Sequence, residues 1–190
     1  MSLWDAAPEA LQALMDRLQC SRVSLWKFDL DDGTRALRCF ASKRTGEVLL
    51  ADTTTLSEDQ YHNYFAALIQ TGVFVANDVL SERRLTRTRR IFLKQHGIGA
   101  LLDVAVTING RAYGIVCCEQ IPGPREWRPE DIASARIAVS RAALLIAADP
   151  SVELDALHSV AIERFVERRI QTLHYLGHDR RAARRPEVRR

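Results

Sequence analysis

Residues 97–120 read GIGALLDVAVTINGRAYGIVCCEQ, and the fold turns on how they pair. Asn109 and Gly110 stand between two runs of β-forming residues, and Asn-Gly is the dipeptide that best tolerates the two positive φ angles of a type I′ hairpin turn. A two-residue turn sets Ile108 opposite Arg111. Unbroken alternation from there puts Leu102, Val104, Val106, Tyr113, Ile115 and Cys117 on one face, and Leu101, Asp103, Ala105, Ala112, Gly114, Val116 and Cys118 on the other. A sheet open to water on one side would alternate apolar with polar, and neither face does so; the hairpin therefore belongs in the middle of a sheet covered on both sides. The small residues Ala105, Ala112 and Gly114 beside Asp103 leave two readings open, a closely packed helix or room for a ligand.

Upstream, residues 8–19 carry Leu11, Leu14, Met15 and Leu18 at helical spacing, with Pro8 suited to the first turn. Residues 22–29 and 35–42 are β-rich and flank Asp31-Asp32-Gly33, which predicts a second hairpin, and 48–51 is a candidate edge strand. Ser57 to Gln60 has capping-box spacing, Leu56 and Tyr61 fit the accompanying staple, and Tyr61, Tyr64, Phe65, Leu68 and Ile69 form a stripe that Gly72 ends. Residues 73–76 predict a short strand, and the Arg-rich stretch 77–90 a loop running into a helix closed by Gly97. Downstream, Arg128-Pro129-Glu130-Asp131 opens a long apolar helix that Asp149-Pro150-Ser151 breaks. A last helix over 153–176 presents Ile162, Val166, Ile170 and Leu173 in a narrow stripe suited to helix pairing.

A chain of 190 residues with 47% hydrophobic residues buries one real core. No apolar run is long enough to span a bilayer and the first residues lack a signal-peptide core, which predicts a cytoplasmic protein. The four cysteines, Cys20, Cys39, Cys117 and Cys118, show neither CxxC spacing nor the density of a disulfide scaffold, so reduced buried thiols are expected. Residues 151–190 hold nine arginines against six acidic residues, which equals the whole chain's formal excess of +3. The division expected is a domain over 1–149, a connecting and dimerisation helix over 150–178, and an Arg-rich tail over 179–190.

The order of these elements resembles a GAF domain. The likeness is carried by Tyr64-Phe65-Ala66-Ala67-Leu68 followed by Val75-Ala76-Asn77-Asp78, by Gly97-Ile98 running into Leu101-Leu102-Asp103-Val104, and by Gly114-Ile115-Val116-Cys117 with Glu119, Arg125-Glu126-Trp127 and Glu130. It covers roughly residues 8–148 and is similar to the modules at the N-terminus of bacterial histidine kinases and diguanylate cyclases. Ala105 replaces a common Pro, and Cys118 and Gln120 replace common His residues, so no role of those histidines carries over. The resemblance implies an α+β fold: a central antiparallel sheet with terminal helices on one face and a small-molecule pocket on the other. It also implies a non-enzymatic sensory domain, with a homodimer formed through the N- and C-terminal helices and a signalling partner such as a histidine kinase. An interaction scaffold with a self-filled pocket is the alternative, and a cysteine-dependent reductase a third reading. Bilin attachment of the phytochrome type needs a loop cysteine that has no match here.

Within that frame, the residues expected to line the pocket are Phe40, Tyr64, Asp78, Leu101, Asp103 and Cys118. Asp78 and Asp103 are acids at a strand end and inside a buried strand, where a carboxylate needs a partner; Arg83, Arg84, Arg87, Arg89 and Arg90 offer ordinary ion pairs. The aromatic rings of Phe40 and Tyr64 suit a planar ligand but suit a core equally. Cys117 and Cys118 point to opposite faces of a strand, which favours packing over redox chemistry. His174 and His178 have metal-compatible spacing and no third ligand nearby, so no metal is expected, and the sequence assigns no cofactor; the faint phosphoacceptor look of His178 lacks a kinase domain beside it. Six of the last eleven residues are Arg, enough for weak, sequence-blind contact with nucleic acid or anionic lipid.

Overall fold

The computed structural model describes residues 3–31, 34–46 and 55–148, with side chains inside those segments except at 3–8, 30, 31, 40, 87, 88, 92 and 111. In chain order the elements are α1 (Leu3–Leu18), β1 (Arg22–Asp31), β2 (Thr34–Arg44), β3 (Thr55–Ser57), α2 (Glu58–Thr71), β4 (Val73–Ala76), α3 (Arg87–Gln95), β5 (Ala100–Ile108), β6 (Arg111–Gln120) and α4 (Pro129–Ala148). The strands form one sheet in the order β3-β2-β1-β6-β5-β4, every pair antiparallel. The predicted edge strand at 48–51, the helix at 153–176 and the Arg-rich end lie outside the described residues.

The β5–β6 hairpin is central, as its two apolar faces require. Asn109 and Gly110 take φ angles of 51° and 77°, the left-handed pair of the expected turn. One face carries Leu102, Val104, Val106, Ile108, Val116 and Cys118 against the stripe Leu11, Leu14, Met15 and Leu18 of α1 and Ala135, Val139 and Ile146 of α4. The other carries Leu101, Ile115 and Cys117 against Tyr61, Tyr64, Phe65 and Leu68 of α2 and Leu93 of α3. Each layer buries apolar side chains, contributing of the order of 1.5–3 kcal/mol for each large one fully covered.

The strand alternation read from the sequence needs one correction. Val106 pairs with Gly114 and Thr107 with Ala112, so Tyr113 is an extra residue in a β-bulge. A one-residue slip reverses every side chain beyond it. Ile115 and Cys117 therefore share the face of Asp103, whereas Val116 and Cys118 face the terminal helices. Gly114 follows the bulge: a Cβ there would run into the carbonyl oxygen of Trp26, so only glycine lets β1 approach this closely.

Two smaller expectations change. Helix α1 begins five residues before Pro8, which therefore lies within the helix. Ser57 precedes α2 as predicted but makes no side-chain cap hydrogen bond. Among the described residues the strand beside β2 at the sheet edge is Thr55–Ser57, which neither replaces nor tests the candidate strand at 48–51. Gly72 does end α2, with φ 70° and its N–H donating to Leu68 O at 2.8 Å.

Candidate functional site

Tyr64 and Asp103 meet in the layer beneath α2. Helical spacing puts Tyr64 on the same buried stripe as Phe65 and Leu68, and strand alternation sends Asp103 to the sheet face that stripe covers. The Tyr64 hydroxyl donates to Asp103 Oδ2 at 2.7 Å, and both residues are at most 2% exposed. The other oxygen, Oδ1, is buried and has no hydrogen-bond partner of regular geometry among the described residues. The neighbouring Cys117 thiol, a weak donor, gives the carboxyl a smaller interaction.

Charge is expensive here. Burial pushes the Asp103 carboxyl up to about 7; the Tyr64 hydrogen bond opposes the shift and the charge of Glu119 reinforces it. Burial, then the Asp103 charge, likewise raises the Tyr64 phenol well above its usual range, and the same two influences raise the Cys117 thiol. The buried Arg89 of α3, whose guanidinium lies 5.7 Å from the Tyr61 ring centroid, offsets part of this through its positive charge. The arrangement is a hydrogen-bonding cluster whose carboxyl changes charge near pH 7 and can hand a proton or an acceptor to something placed against Oδ1. Replacing Tyr64 by Phe is expected to cost about 2 kcal/mol of stability, since it strands a second buried carboxyl oxygen, and to move the Asp103 titration further upward; chemical denaturation across pH measures both.

Aromatic rings surround the pair. Tyr64 packs edge-on against Phe65 and Phe74, with centroids 5.9 and 4.9 Å away, and Phe65 packs edge-on against Phe28. Of the six residues expected to line a pocket, Tyr64, Leu101 and Asp103 come together on this face. Cys118 does not: the bulge turns it to the terminal-helix layer, and Cys117 takes its place beside the carboxyl. Asp78 caps a turn, accepting the Leu80 N–H on Oδ1 at 2.9 Å. Phe40 is the extra residue of a bulge in β2, between Ala41 and Cys39, and its side chain is among those not described. Asp103 was expected to pair with a charge or a backbone N–H; its partner is a phenol. Gly114 was the available clue to Cys117, because a glycine inside a strand marks a bulge or a close approach.

Among the described residues no group of three metal-ligating side chains comes together. No described helix is long and apolar enough to cross a membrane.

One antiparallel sheet covered by helices on both faces, with a buried carboxyl under the middle helix, defines an α+β domain. A family model described as GAF domain matches residues 3–146, most of the chain, and the protein belongs to that family. Solved structures agree on the fold. The blue-light absorbing PixJ GAF domain of Thermosynechococcus elongatus is 19% identical, with a TM-score of 0.61 over 88% of this chain and 90% of its own. JSC1_58120g3 with bound biliverdin IXα is 16% identical, with a TM-score of 0.59 over 72% of this chain and 84% of its own. The bacteriophytochrome RpBphP3 of R. palustris is 15% identical, with a TM-score of 0.63 over 77% of this chain, which spans 34% of that protein. No curated protein matches.

Proposed function

We propose that the protein is a non-enzymatic sensory domain that binds a small molecule against Asp103 and passes the change through its terminal helices. The observation that carries this reading is the buried Asp103 Oδ1 with no regular partner among the described residues. A carboxyl so placed costs stability in a domain that only needs a core, and a ligand N–H or O–H directed at it would offset that cost. Leu101, Ile115 and Cys117 would give the ligand an apolar wall. Similar folds in PixJ and in JSC1_58120g3 serve light absorption and biliverdin binding, which makes biliverdin one probe among several.

Relay would run through α1 and α4, which pack on the opposite face of the same central strands. Ile137, Leu144 and Leu145 are exposed on α4, a face that a second copy of the chain would cover, leaving the helix ends to act on a partner such as a histidine kinase. A thermal-shift screen of the full chain with biliverdin, haem, cyclic nucleotides and amino acids tests the reading. One probe should raise the melting temperature saturably in the wild type and lose that effect in Asp103→Asn. If a probe stabilises both proteins equally, binding does not use Asp103.

A second reading, an interaction scaffold whose pocket is filled by its own side chains, is favoured by the edge-on packing of Tyr64, Phe65 and Phe74. It predicts no saturable shift with any probe. A reductase is disfavoured by the Cys117 thiol, which burial holds protonated.

A further inference from the structure

Asp103 is 1% exposed and Tyr64 2%, so nothing reaches the carboxyl unless part of its cover moves. The cover is α2, and α2 is not one rod. Tyr61 departs from helical geometry with φ −129° and ψ 33°, which separates the first turn, residues 58–60, from the body, residues 62–71. The first turn is fastened to the sheet. Arg35 of β2 grips Glu58 in two hydrogen bonds, Nε donating to Oε2 at 2.9 Å and Nη2 to Oε1 at 2.6 Å, and Ser57, one residue earlier, is paired with Ala36. The Tyr61 ring is held from a third element, with the Arg89 guanidinium 5.7 Å from its centroid.

The far end of the body is divided in the same way. The Gly72 N–H donates to Leu68 O inside the helix at 2.8 Å, whereas the Gly72 carbonyl accepts the Ala105 N–H of β5 at 2.9 Å. One side of this residue belongs to the helix and the other to the sheet, and its φ of 70°, which glycine adopts freely, lies between them. Between the two ends the body carries Tyr64, Phe65 and Leu68 down onto the sheet, and the bond from the Tyr64 hydroxyl to Asp103 Oδ2 ties the middle of that stripe in place.

We infer that residues 62–71 of α2 form a flap that turns on Tyr61 and Gly72, is latched by Tyr64 on Asp103, and opens to admit a small molecule to the carboxyl. Its purpose rests on the ligand site proposed above, whereas the opening is a property of the chain alone. The two hinges sit at the ends of the moving piece, each with its outer side bonded to the sheet, which is how a few residues absorb a rigid-body turn. A ligand bonded to Oδ1 leaves the latch on Oδ2 intact and is enclosed when the flap returns.

Cys117 reports the opening without a ligand, because it is the cross-strand partner of Asp103 and is buried beneath the same layer. The full reduced chain is pulsed with iodoacetamide, and fragmentation of the labelled peptides separates Cys117 from Cys118. A urea unfolding curve and the labelling rate of the unfolded chain fix the Cys117 rate that complete unfolding allows. Cys117 should label at least about tenfold faster than that, and its rate should rise less steeply with urea than complete unfolding does. Tyr64→Phe should speed the labelling about tenfold or more, since the lost hydrogen bond holds only the closed flap. Glu58→Gln should lower the urea midpoint and leave the Cys117 rate unchanged, because the Arg35 contact persists while the flap is open. Labelling no faster than complete unfolding allows, no response to Tyr64→Phe, or equal acceleration by both variants would overturn the inference. A chain that opens as described and binds none of the screened probes would count against the ligand site and leave the hinged flap standing.

Discussion

At pH 8 the Asp103→Asn variant should resist denaturant better than the wild-type chain, by up to about 4 kcal/mol. The Asp103 carboxyl titrates at about 7 in the fold, against an ordinary value of 3.8, with burial as the main cause. Between those two values the folded chain keeps a proton that the unfolded chain has lost. Stability present below about pH 4 is therefore lost as pH rises towards 7 and is level above it. Each pH unit crossed corresponds to about 1.4 kcal/mol, which gives the figure for pH 8. Asparagine keeps an acceptor for the Tyr64 hydroxyl and carries no charge. The wild type and the variant should consequently have similar urea midpoints at pH 4 and separate steadily up to pH 7. Glu119 and Arg89 act in both proteins, so the difference isolates the one carboxyl. A gap that does not change with pH would contradict the assignment.

Gly114→Ala should destabilise the domain by about 3 kcal/mol or more, because its Cβ would meet the Trp26 carbonyl oxygen in the middle of the sheet, where backbone cannot swing aside. Gly114 adjoins the bulge at Tyr113, so the substitution should also disturb the faces of Ile115 and Cys117. Gly110→Ala is the contrasting case. Nothing lies within 4 Å of its Cβ, and the cost is only the strain of φ 77°, about 1 kcal/mol. Denaturant midpoints of the two variants measure the difference; equal losses would mean the close β1–β6 approach is not what requires glycine.

What could be read in advance followed from local chemistry. Asn109-Gly110 specifies its turn through two positive φ angles, Gly72 specifies a helix end in the same way, and the Leu11/Leu14/Leu18 stripe required the partner it finds in α4. What could not be read depends on residues far apart in the chain. Gly114 hints at a bulge or a close approach without saying which or where, and one extra residue at Tyr113 was enough to exchange Cys117 and Cys118 between layers. The bond between Tyr64 and Asp103 joins positions 39 apart, so sequence could place each on a buried face without showing that they touch. Asp78 looked equivalent to Asp103 in composition, but its short side chain serves its own backbone turn.

A sensory role for this domain requires a small molecule seated against Asp103. A native mass spectrum of the wild-type chain beside Asp103→Asn, as purified and after incubation with biliverdin, haem, cyclic nucleotides or amino acids, asks this directly. The prediction is an added small-molecule mass on the wild type that disappears on denaturation and is missing or much reduced in the variant. The bare chain mass in every wild-type sample, or an adduct held equally by both proteins, would contradict it.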